Sequence, residues 1–497
     1  MDGPARLETI GGNSSYPWHS EDPIEGNATG IINYDLRPAQ GGEMLADAEL
    51  CISFDNGTPE IGEGGFIYIR RADNGELADV IDLSERQTNI VEGTRLNTWM
   101  DIVGATPSKR VVNYHPVYVE DGKLYIKPHS HALDYNTEYY VTIDKQAVVH
   151  PDFNGIYTKT WRFRTKAEPQ LSGNTAKVSR SASDADFYTL QGAVDWFYTH
   201  TDRAASKTVL MDNGVYKEIV YIRDQDNITV KGTGRDLVSI QYDNRNELNG
   251  GIGEGMDIDA FSPDMLGVPV SSGNRSVMTI GGNADKIRFE DVTIENTSGN
   301  RGQAEAIVLR NNGGATAFIR CAFYGYQDTV LGGGGFNWSY QCLVTGATDF
   351  IWGGPEVSLF EDCEIRASQG RALNARVGEG NVGYVFLNTD FTVDSTVGES
   401  TSLIESSSHD HITSLSCTFA DAFIRGGIPD NLNDDDVPSA TTGTKMYNCK
   451  DENGKDAWAQ FENHELVHQL TDDEYAQHYG SRDLIMEGYS DRHWFAD

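Results

Sequence analysis

Basic residues are scarce in this chain relative to acidic ones. Its 497 residues include 39 Lys and Arg against 75 Asp and Glu, which gives a net charge of −36 with His neutral. Nucleic acids and anionic membranes are bound by clustered Lys and Arg, because these side chains neutralise phosphate charge. The composition therefore argues against both partners, although the same acidic excess is also typical of a surface adapted to salt or acid.

Long apolar runs are absent as well. The sequence has no apolar run long enough to cross a membrane, since a membrane-spanning helix needs about 20 such residues. The N-terminal segment MDGPARLETIGGNSSYPWHS lacks the apolar centre of a secretory signal peptide. Two explanations are open: a signal peptide has been removed, or the protein stays in the cytoplasm.

Cysteine is also rare, and its spacing is regular. Six Cys in so long a chain do not make a disulfide framework, and no CxxC motif or His pair lies nearby to bind zinc. The interval from Cys321 to Cys342 is the same as that from Cys342 to Cys363. A repeat of about 20 residues is typical of a solenoid. The short β-prone phrases predict a parallel β-helix with these Cys stacked in its core, and a disulfide between neighbours stays open.

The same interval separates two acidic residues in polar, glycine-flanked settings, Asp328 and Asp349. One turn of a β-helix corresponds to one strand spacing of about 4.8 Å, so we expect the two carboxylates to lie one above the other. Two carboxylates so close cannot both ionise easily, because one charge disfavours the other. The pair would therefore supply an acid and a nucleophile in one site.

The repeat extends to both sides of this centre. FEDVTI at 289–294 is the same phrase as FEDCEI at 360–365, with Val292 in the position of the cysteine. The ladder of stacked positions continues at Thr389 and Cys417. The spacing is looser there, which predicts that loops are inserted on some turns.

The chain before the solenoid has a different pattern. Residues 1–35 are polar and predict an irregular leader, whereas residues 36–165 contain short alternating strands divided by turn signals. This pattern predicts a small antiparallel β-sandwich. A Pro-, Gly- and Ser-containing linker at 166–176 precedes the β-helix domain at 177–497. Apolar residues at helical spacing within 185–200 predict a helix that covers the open end of the solenoid.

Two resemblances to known families follow from the motifs. The segment LDYNTEYYVTIDKQAVVHPDFNG resembles bacterial Ig-like modules, which implies that the sandwich is an Ig-like spacer or stabilising cap. In the second domain, DNGVYKEIVYI is similar to the GxYxE element of the pectin methylesterases, EAIVLR to their QAVALR, GYQDTVL to GYQDTL, GATDFIWGG to DFIFG and ASQGR to AQGR. The C-terminal LTDDEYAQHYGSRDLIMEGYSDRHW resembles the closing helical segment of that family. The second resemblance covers roughly residues 175–497, and it implies a mainly β protein whose catalytic domain is a right-handed parallel β-helix.

The pectin methylesterase resemblance implies catalytic roles for three matched residues. Asp349 is the expected nucleophile on the ester carbonyl, and Asp328 is expected to protonate the departing methanol and then to act as a base on water. Gln327 is placed to donate a hydrogen bond to the tetrahedral oxyanion, a contact whose removal typically costs about 3 kcal/mol.

Further residues are expected to contact the substrate. The aromatic side chains around the aspartates predict stacking on sugar rings, and two polar neighbours complete the expected binding set. The members of this set are Tyr326, Phe350, Trp352, Gln303 and Arg371.

Two positions depart from the family pattern. Glu305 stands where a second oxyanion-donating glutamine is expected, and an ionised Glu cannot donate. Either neighbours keep Glu305 protonated, or Gln303 replaces it, or the donor is missing. The LGRPW motif, whose Arg keeps the nucleophile ionised, is absent from SLIESSSHDH at 402–411. The nearest basic candidates in sequence are Arg371, Arg376 and Arg425, of which Arg376 is favoured.

The expected function is hydrolysis of galacturonate methyl esters in pectin, which releases methanol and acidic pectin and modifies the cell wall. We expect a secreted or cell-surface monomer, without its signal peptide in this sequence, that needs no cofactor or metal. Three alternatives are open: an enzyme of the same fold for another ester, a non-catalytic polyuronide-binding protein with a decayed site, and a polysaccharide lyase.

Overall fold

A computed structural model describes residues 34–85, 99–104, 110–250, 275–398, 400–404, 411–428 and 437–495 of the chain. The chain divides into two compact units. The main change of unit falls between Ser172 and Gly173, inside the segment predicted as a linker, and Val178–Ala193 belongs to the first unit. The predicted leader, residues 1–35, lies almost entirely outside the described residues.

The first unit is built from short strands. They are β1 (Tyr34–Arg37), β2 (Gly42–Met44), β3 (Leu50–Phe54), β4 (Glu60–Ile61), β5 (Phe66–Arg71), β6 (Leu77–Asp82), β7 (Met100–Val103), β8 (Arg110–Asn113), β9 (Val117–Glu120), β10 (Lys123–Ile126), β11 (Glu138–Ile143), β12 (Val148–Val149) and β13 (Arg162–Thr165). One sheet has the order β1-β3-β10-β9 and a second has the order β2-β13-β11-β5-β6, with β12-β4 and β7-β8 as separate pairs.

The two larger sheets of the first unit share one apolar core. Ile52 and Leu124 from the first sheet and Ile69, Val141 and Phe163 from the second are all buried in one cluster. Pairing is antiparallel throughout these sheets except between β2 and β13. Alternating apolar residues along each strand thus produce a β-sandwich, as the sequence predicts. Its assignment as an Ig-like module stays a prediction.

The second unit is a parallel β-helix. One of its sheets has eleven strands. They are β14 (Thr175–Val178), β15 (Lys207–Met211), β18 (Asp226–Gly232), β21 (Asp285–Glu290), β24 (Ala315–Ile319), β27 (Phe336–Tyr340), β29 (Val357–Glu361), β31 (Gly383–Leu387), β34 (Ile412–Leu415), β36 (Thr444–Tyr447) and β38 (His468–Gln469). Each central strand pairs in parallel with the strand of the next turn.

A second sheet of fourteen strands forms the rest of each turn. Its strands are β16 (Gly214–Lys217), β17 (Val220–Arg223), β19 (Val238–Tyr242), β20 (Met278–Gly281), β22 (Thr293–Asn296), β23 (Ile307–Arg310), β25 (Ala322–Tyr324), β26 (Val330–Gly332), β28 (Leu343–Gly353), β30 (Glu364–Ala375), β32 (Asp390–Val393), β33 (Ser402–Ile404), β35 (Thr418–Phe419) and β37 (Lys450–Asp451). The long strand β28 pairs with β25 through its first half and with β26 through its second half. The sheet therefore has two rows of strands, and the connection between the rows holds both aspartates.

The cysteine ladder is present in the core. Cys321, Cys342 and Cys363 are each at most 3% exposed, and the amide of each of the first two faces the sulfur of the next at 3.4 Å. Cys449 is a further buried position that the sequence analysis did not include. All six cysteines are free thiols.

Each ladder position follows a left-handed turn residue. The residues with positive φ at this point of each turn are Asp291, Arg320, Gln341, Asp362, Asn388, Ser416 and Asn448. The same turn conformation therefore recurs at every step, and it aims the following side chain into the core. Val292 and Thr389, both fully buried, fill this position on turns without Cys.

The described helices are short and few. They are α1 (Leu190–His200), α2 (Asp421–Gly426), α3 (Asp472–His478) and α4 (Arg482–Ile485), with 3-10 helices at Leu83–Glu85, Lys145–Ala147, Trp458–Gln460, His464–Leu466 and Arg492–Phe495. The apolar face predicted for α1 is fully buried, whereas its role as a cap of the solenoid stays a prediction. None of the helices in the described ranges is long and apolar enough to cross a membrane.

The C-terminal helices pack on the eleven-stranded sheet. Tyr479, Ile485 and Phe495 share an apolar cluster with Trp338 and Leu359 of that sheet. A capping box between Thr471 and Glu474 begins α3. The predicted closing helical segment is therefore confirmed, and it covers the eleven-stranded sheet, whereas Asp349 lies in strand β28 of the other sheet.

Candidate active site

Asp328 and Asp349 lie on neighbouring turns of the β-helix. Gln327 and Thr348 form a parallel bridge, and the amide of Asp328 donates to the carbonyl of Thr348 at 3.0 Å. Both aspartates have positive φ angles, 67° and 49°. This conformation is uncommon for residues other than glycine and concentrates at functional sites. The regular spacing of the repeat thus brings the two carboxylates together, as the sequence predicts.

Asn374 fixes one oxygen of Asp349. Its Nδ2 donates to Oδ2 of Asp349 at 3.0 Å. The other oxygen, Oδ1, is buried and accepts no hydrogen bond from any described residue. A buried carboxylate oxygen without a donor is costly to stability. The arrangement leaves the lone pairs of Oδ1 uncommitted.

Arg275 uses all of its five N–H donors inside the site. Nε donates to both oxygens of Glu305 at 3.0 and 2.9 Å, and Nη2 lies 2.9 Å from Glu305 Oε1. Nη2 also donates to Asp328 Oδ2 at 3.0 Å. Nη1 donates to Asn246 Oδ1 at 3.0 Å and to Gln303 Oε1 at 2.8 Å. A guanidinium has five N–H donors, so Arg275 has none left for a substrate.

No sequence motif pointed to Arg275 or Asn374. The basic candidates named from the sequence all follow the aspartates, whereas Arg275 lies one turn before Glu305. Val292 and Cys321 occupy equivalent positions on successive turns. The same interval, counted back from Glu305, ends at the residue next to Arg275. Asn374 is directly opposite Trp352 in the β28–β30 pairing. The interval between turns therefore leads close to Arg275, whereas the register shifts in the β28–β30 pairing put Asn374 outside the regular spacing.

Asp328 is held in a protonatable state. Burial raises its pKa to about 7, and the neighbouring carboxylate of Glu305 adds to the rise. Arg275 and Arg376 oppose the shift, whereas Asp349 adds to it. The residue is 3% exposed. Near neutral pH this carboxyl can therefore both release and accept a proton.

Glu305 does not have the geometry of an oxyanion donor. The side chain is fully buried, and both oxygens accept hydrogen bonds from Arg275. Burial raises the pKa of Glu305, and the charge of Arg275 opposes this rise. The Oε1 of Gln303 accepts from Arg275 and Asn246, which leaves its Nε2 as the donor. Which residue supplies a second oxyanion donor stays a prediction.

The three arginines expected near the nucleophile all occupy exposed positions. Arg376 is exposed, and its guanidinium lies 5.4 Å above the ring of Trp352; no described contact joins it to Asp349. Arg371 is exposed, with its backbone paired to Thr348. Arg425 forms an ion pair with Asp421 on the surface of α2. The charge of Arg376 opposes the rise in the pKa of Asp328, and its role beside the nucleophile stays a prediction.

The aromatic residues differ in what they can offer to a sugar. Phe350 is fully buried, so its predicted stacking on substrate is wrong: the ring fills the space below Gly346. Trp352 is 7% exposed, and its Nε1 has no hydrogen-bond partner among the described residues. Tyr326 is half-buried, and its hydroxyl oxygen accepts a hydrogen bond from Gln369. Sugar contacts by Trp352 and Tyr326 stay predictions.

Gln327 lies beside Asp328 with its side chain half-buried. Its backbone carbonyl accepts from the amide of Ala304 at 3.4 Å. The side-chain amide makes no hydrogen bond to another described residue, so its donors remain available. Within the described ranges, no three His, Cys, Asp or Glu side chains are arranged to hold a metal ion.

Comparison with known proteins identifies the part of the chain that carries this site. The family model named Pectinesterase matches residues 176–378. That range contains both aspartates together with Arg275, Glu305 and Asn374. This part of the chain is a pectinesterase-family domain. The family expected from the motifs is thereby confirmed.

Plant relatives match this chain over part of their length. "Putative pectinesterase 14" of Arabidopsis thaliana is 26% identical over 215 residues, which are 41% of this chain and 58% of that protein. "Probable pectinesterase 56" of the same plant is 31% identical over 160 residues, covering 32% of this chain and 47% of that protein. The chain thus spans about half the length of these curated relatives.

Solved structures of pectin methylesterases also resemble this chain. The enzyme of Aspergillus niger gives a TM-score of 0.49 at 18% identity, covering 66% of this chain and 97% of that chain. The enzyme from carrot gives 0.48 at 17% identity, covering 65% and 95%.

Proposed function

We propose that the pectinesterase-family domain hydrolyses the methyl esters of galacturonate units in pectin and releases methanol and acidic pectin. The family match over residues 176–378 supports this activity and substrate. The observation that carries the mechanism is the pair of aspartates on adjacent turns in unlike surroundings. Asp328 is buried against another carboxylate, whereas Asp349 is partly exposed and receives a hydrogen bond from a neutral amide.

The first step forms an acyl-enzyme. The carboxylate of Asp349 attacks the ester carbonyl carbon, and the electron pair of the C=O bond moves to its oxygen. As the tetrahedral centre collapses, the bond to the methoxy group breaks, and Asp328 donates its proton to that oxygen. Methanol leaves, and Asp328 becomes a carboxylate. A carboxyl with a pKa of about 7 suits this role, because it holds a proton below that pH and releases it readily.

The second step regenerates the enzyme. The Asp328 carboxylate takes a proton from a water molecule, whose oxygen attacks the carbonyl carbon of the galacturonyl–Asp349 anhydride. The anhydride bond to Asp349 breaks, so the product acid and the Asp349 carboxylate are both released. Asp328 is then protonated again, as the first step requires. One residue therefore acts as acid and as base in turn.

Gln327 is the proposed oxyanion donor. Its amide is adjacent to Asp328 and makes no hydrogen bond to another described residue. A neutral amide stabilises the charge that develops on the carbonyl oxygen without adding a charge to the resting site. Arg275 cannot take this role because all five of its donors are used.

The charge of the chain fits release of an acidic product. The chain carries a net charge of −36, and demethylated pectin is a polyanion, whereas methylated pectin is nearly neutral. Like charges repel, so electrostatics favour departure of the product. Because pectin is a cell-wall polymer, we place the site of action outside the cell or at its surface.

Methanol release from highly methylated pectin tests the proposal. The wild-type chain is compared with Asp349→Asn, which removes the nucleophilic charge at constant size. Asp362→Asn is the matched control, because Asp362 is an exposed aspartate with a φ of 52° outside the site. We expect release by the wild type and the control, with a loss of at least about a thousandfold in Asp349→Asn.

Other outcomes point to other functions. Release from simple methyl esters but not from pectin would identify a different ester substrate. Binding of pectin without methanol from any variant would favour a polyuronide-binding protein. Equal release by the wild type and Asp349→Asn would overturn the assignment of the nucleophile.

A further inference from the structure

We propose that Arg275 and Glu305 act together as positioning residues for Asp328: the arginine fixes the direction of its carboxyl group, and the glutamate keeps the catalytic proton on it. The inference rests on the proposed acid–base role of Asp328. It assigns a role to two side chains that depart from, or lie outside, the motifs shared with the pectin methylesterases.

The geometry ties the three side chains into one unit. A single guanidinium nitrogen, Nη2 of Arg275, lies 2.9 Å from Glu305 Oε1 and 3.0 Å from Asp328 Oδ2. The exposed fractions of the three side chains are 6% for Arg275, 0% for Glu305 and 5% for Asp328. Bonds from Nη1 to Asn246 and Gln303 hold the guanidinium from its other side. The Asp328 carboxyl therefore cannot rotate without breaking a buried charged hydrogen bond.

The charges in this unit do not balance when both acids ionise. One guanidinium carries a single positive charge, so two carboxylates would leave one net negative charge in a buried space. A proton on one acid removes that excess. Glu305 receives three contacts from Arg275, and Asp328 receives one. Asp328 is therefore the acid that keeps the proton.

Other charged groups also face Asp328. Asp349 favours its protonated form, and Arg376 opposes it. Arg376 is exposed, so water and salt weaken its effect. Burial and Glu305 are the two largest causes that hold the proton on Asp328. Glu305→Gln removes one of these and keeps one acceptor for Arg275, because the amide oxygen can occupy the place of Oε1, which both Nε and Nη2 contact.

The first measurement is the pH profile of kcat/KM for methanol release. For Glu305→Gln we expect the alkaline limb to move to lower pH by roughly one unit, because Asp328 loses its proton more easily. Activity would fall about tenfold at pH 7.5 and less than about threefold at pH 5. Glu305→Asp keeps the charge and should keep the limb close to that of the wild type. Glu290→Gln, which removes a glutamate that pairs with Lys231 elsewhere in the helix, should change neither limb.

The second measurement needs no activity. Thermal unfolding midpoints are recorded between pH 4 and 9 for the wild type, Asp328→Asn, Glu305→Gln and the double variant. The stabilisation by Asp328→Asn grows with pH above the unfolded-state pKa and levels off at the folded-state pKa of Asp328, so the onset of this plateau reports the titration of Asp328 in the folded protein. We expect this onset at lower pH in the Glu305→Gln background.

The two measurements separate the possible failures. An unchanged onset, or an equal loss of rate at every pH, would overturn the positioning role of Glu305. If the wild type releases no methanol but the onset moves as expected, the proposed function fails and the positioning role stands. If Glu305→Gln does not fold, the pH profile of Glu305→Asp and the onset in the wild type still test the proposal. A shift of the alkaline limb of kcat/KM in Glu305→Asp would contradict it.

Discussion

Asn374 Nδ2 donates a hydrogen bond to Asp349 Oδ2 at 3.0 Å and leaves Oδ1 of the same carboxylate without a donor among the described residues. The two residues come from successive long strands, β28 and β30, at the point where the sheet turns between its two rows. The contact fixes the direction of the carboxylate with a neutral group. It therefore takes the place of the arginine contact that the family resemblance implied.

Removal of the Asn374 amide should slow the reaction. For Asn374→Ala we expect kcat for methanol release to fall by roughly ten- to a hundredfold, because a hydrogen bond to a charged group contributes about 1.5–3 kcal/mol. KM should change little, since the amide acts on Asp349. Asn337→Ala is the control, because Asn337 is a buried asparagine of the other sheet that donates to Gly334. A loss of kcat of the same size in the control would attribute the effect to general damage.

Asp328 should make stability depend on pH. Its pKa is raised to about 7, above the value of about 3.9 in an unfolded chain. The protonated carboxyl therefore stabilises the fold at acid pH, and this contribution is lost as the pH rises through about 7. Asparagine resembles the protonated form at every pH. We expect Asp328→Asn to raise stability by roughly 1–3 kcal/mol at pH 8 and to have little effect at pH 4.

Calorimetric unfolding of the two proteins at both pH values checks this. Asp291→Asn serves as the comparison, because Asp291 is paired with Arg320 at the surface. An Asp328→Asn variant that is less stable than the wild type at pH 8 contradicts the expectation.

Trp352 should affect function more than stability. Its buried Nε1 has no partner among the described residues, so Trp352→Phe removes an unsatisfied donor that costs about 1–3 kcal/mol, while the smaller ring loses some packing. We expect an unfolding midpoint close to that of the wild type, together with a raised KM for pectin. Nε1 of Trp338, by contrast, donates to Glu361 at 2.9 Å. Trp338→Phe removes this hydrogen bond, so the unfolding midpoint of that variant should fall. Equal midpoint losses in the two variants would contradict the contrast.

The cysteine ladder should tolerate a hydroxyl of similar shape. Cys342 Sγ donates to a backbone carbonyl at 3.3 Å, and Thr389 Oγ1 makes the matching contact at 3.1 Å two turns later. Cys342→Thr should therefore change stability by less than about 1.5 kcal/mol, whereas Cys342→Phe should cost about 1–3 kcal/mol or more through overpacking. Because all six thiols are free, a reducing agent should leave the unfolding midpoint unchanged. A drop of the midpoint on reduction would show a disulfide.

The sequence by itself determined the repeat and its consequences. The constant interval from Cys321 to Cys342 to Cys363 fixes which residues are stacked, because strands of successive turns pair in register. The ladder and the two neighbouring aspartates followed directly from it. Alternating apolar residues determined the sandwich in the same way. These are local or periodic properties, which a linear pattern can record.

Only the tertiary structure decided what completes the site. Arg275 and Asn374 come from turns before and after the aspartates, and inserted loops break the regular spacing between turns. Which donor meets which carboxylate oxygen depends on side-chain directions that no spacing contains. The tertiary structure also buries the ring of Phe350, which keeps it from contact with a substrate. It pairs the buried Glu305 with Arg275, because the low polarity of the interior requires a buried charge to be paired.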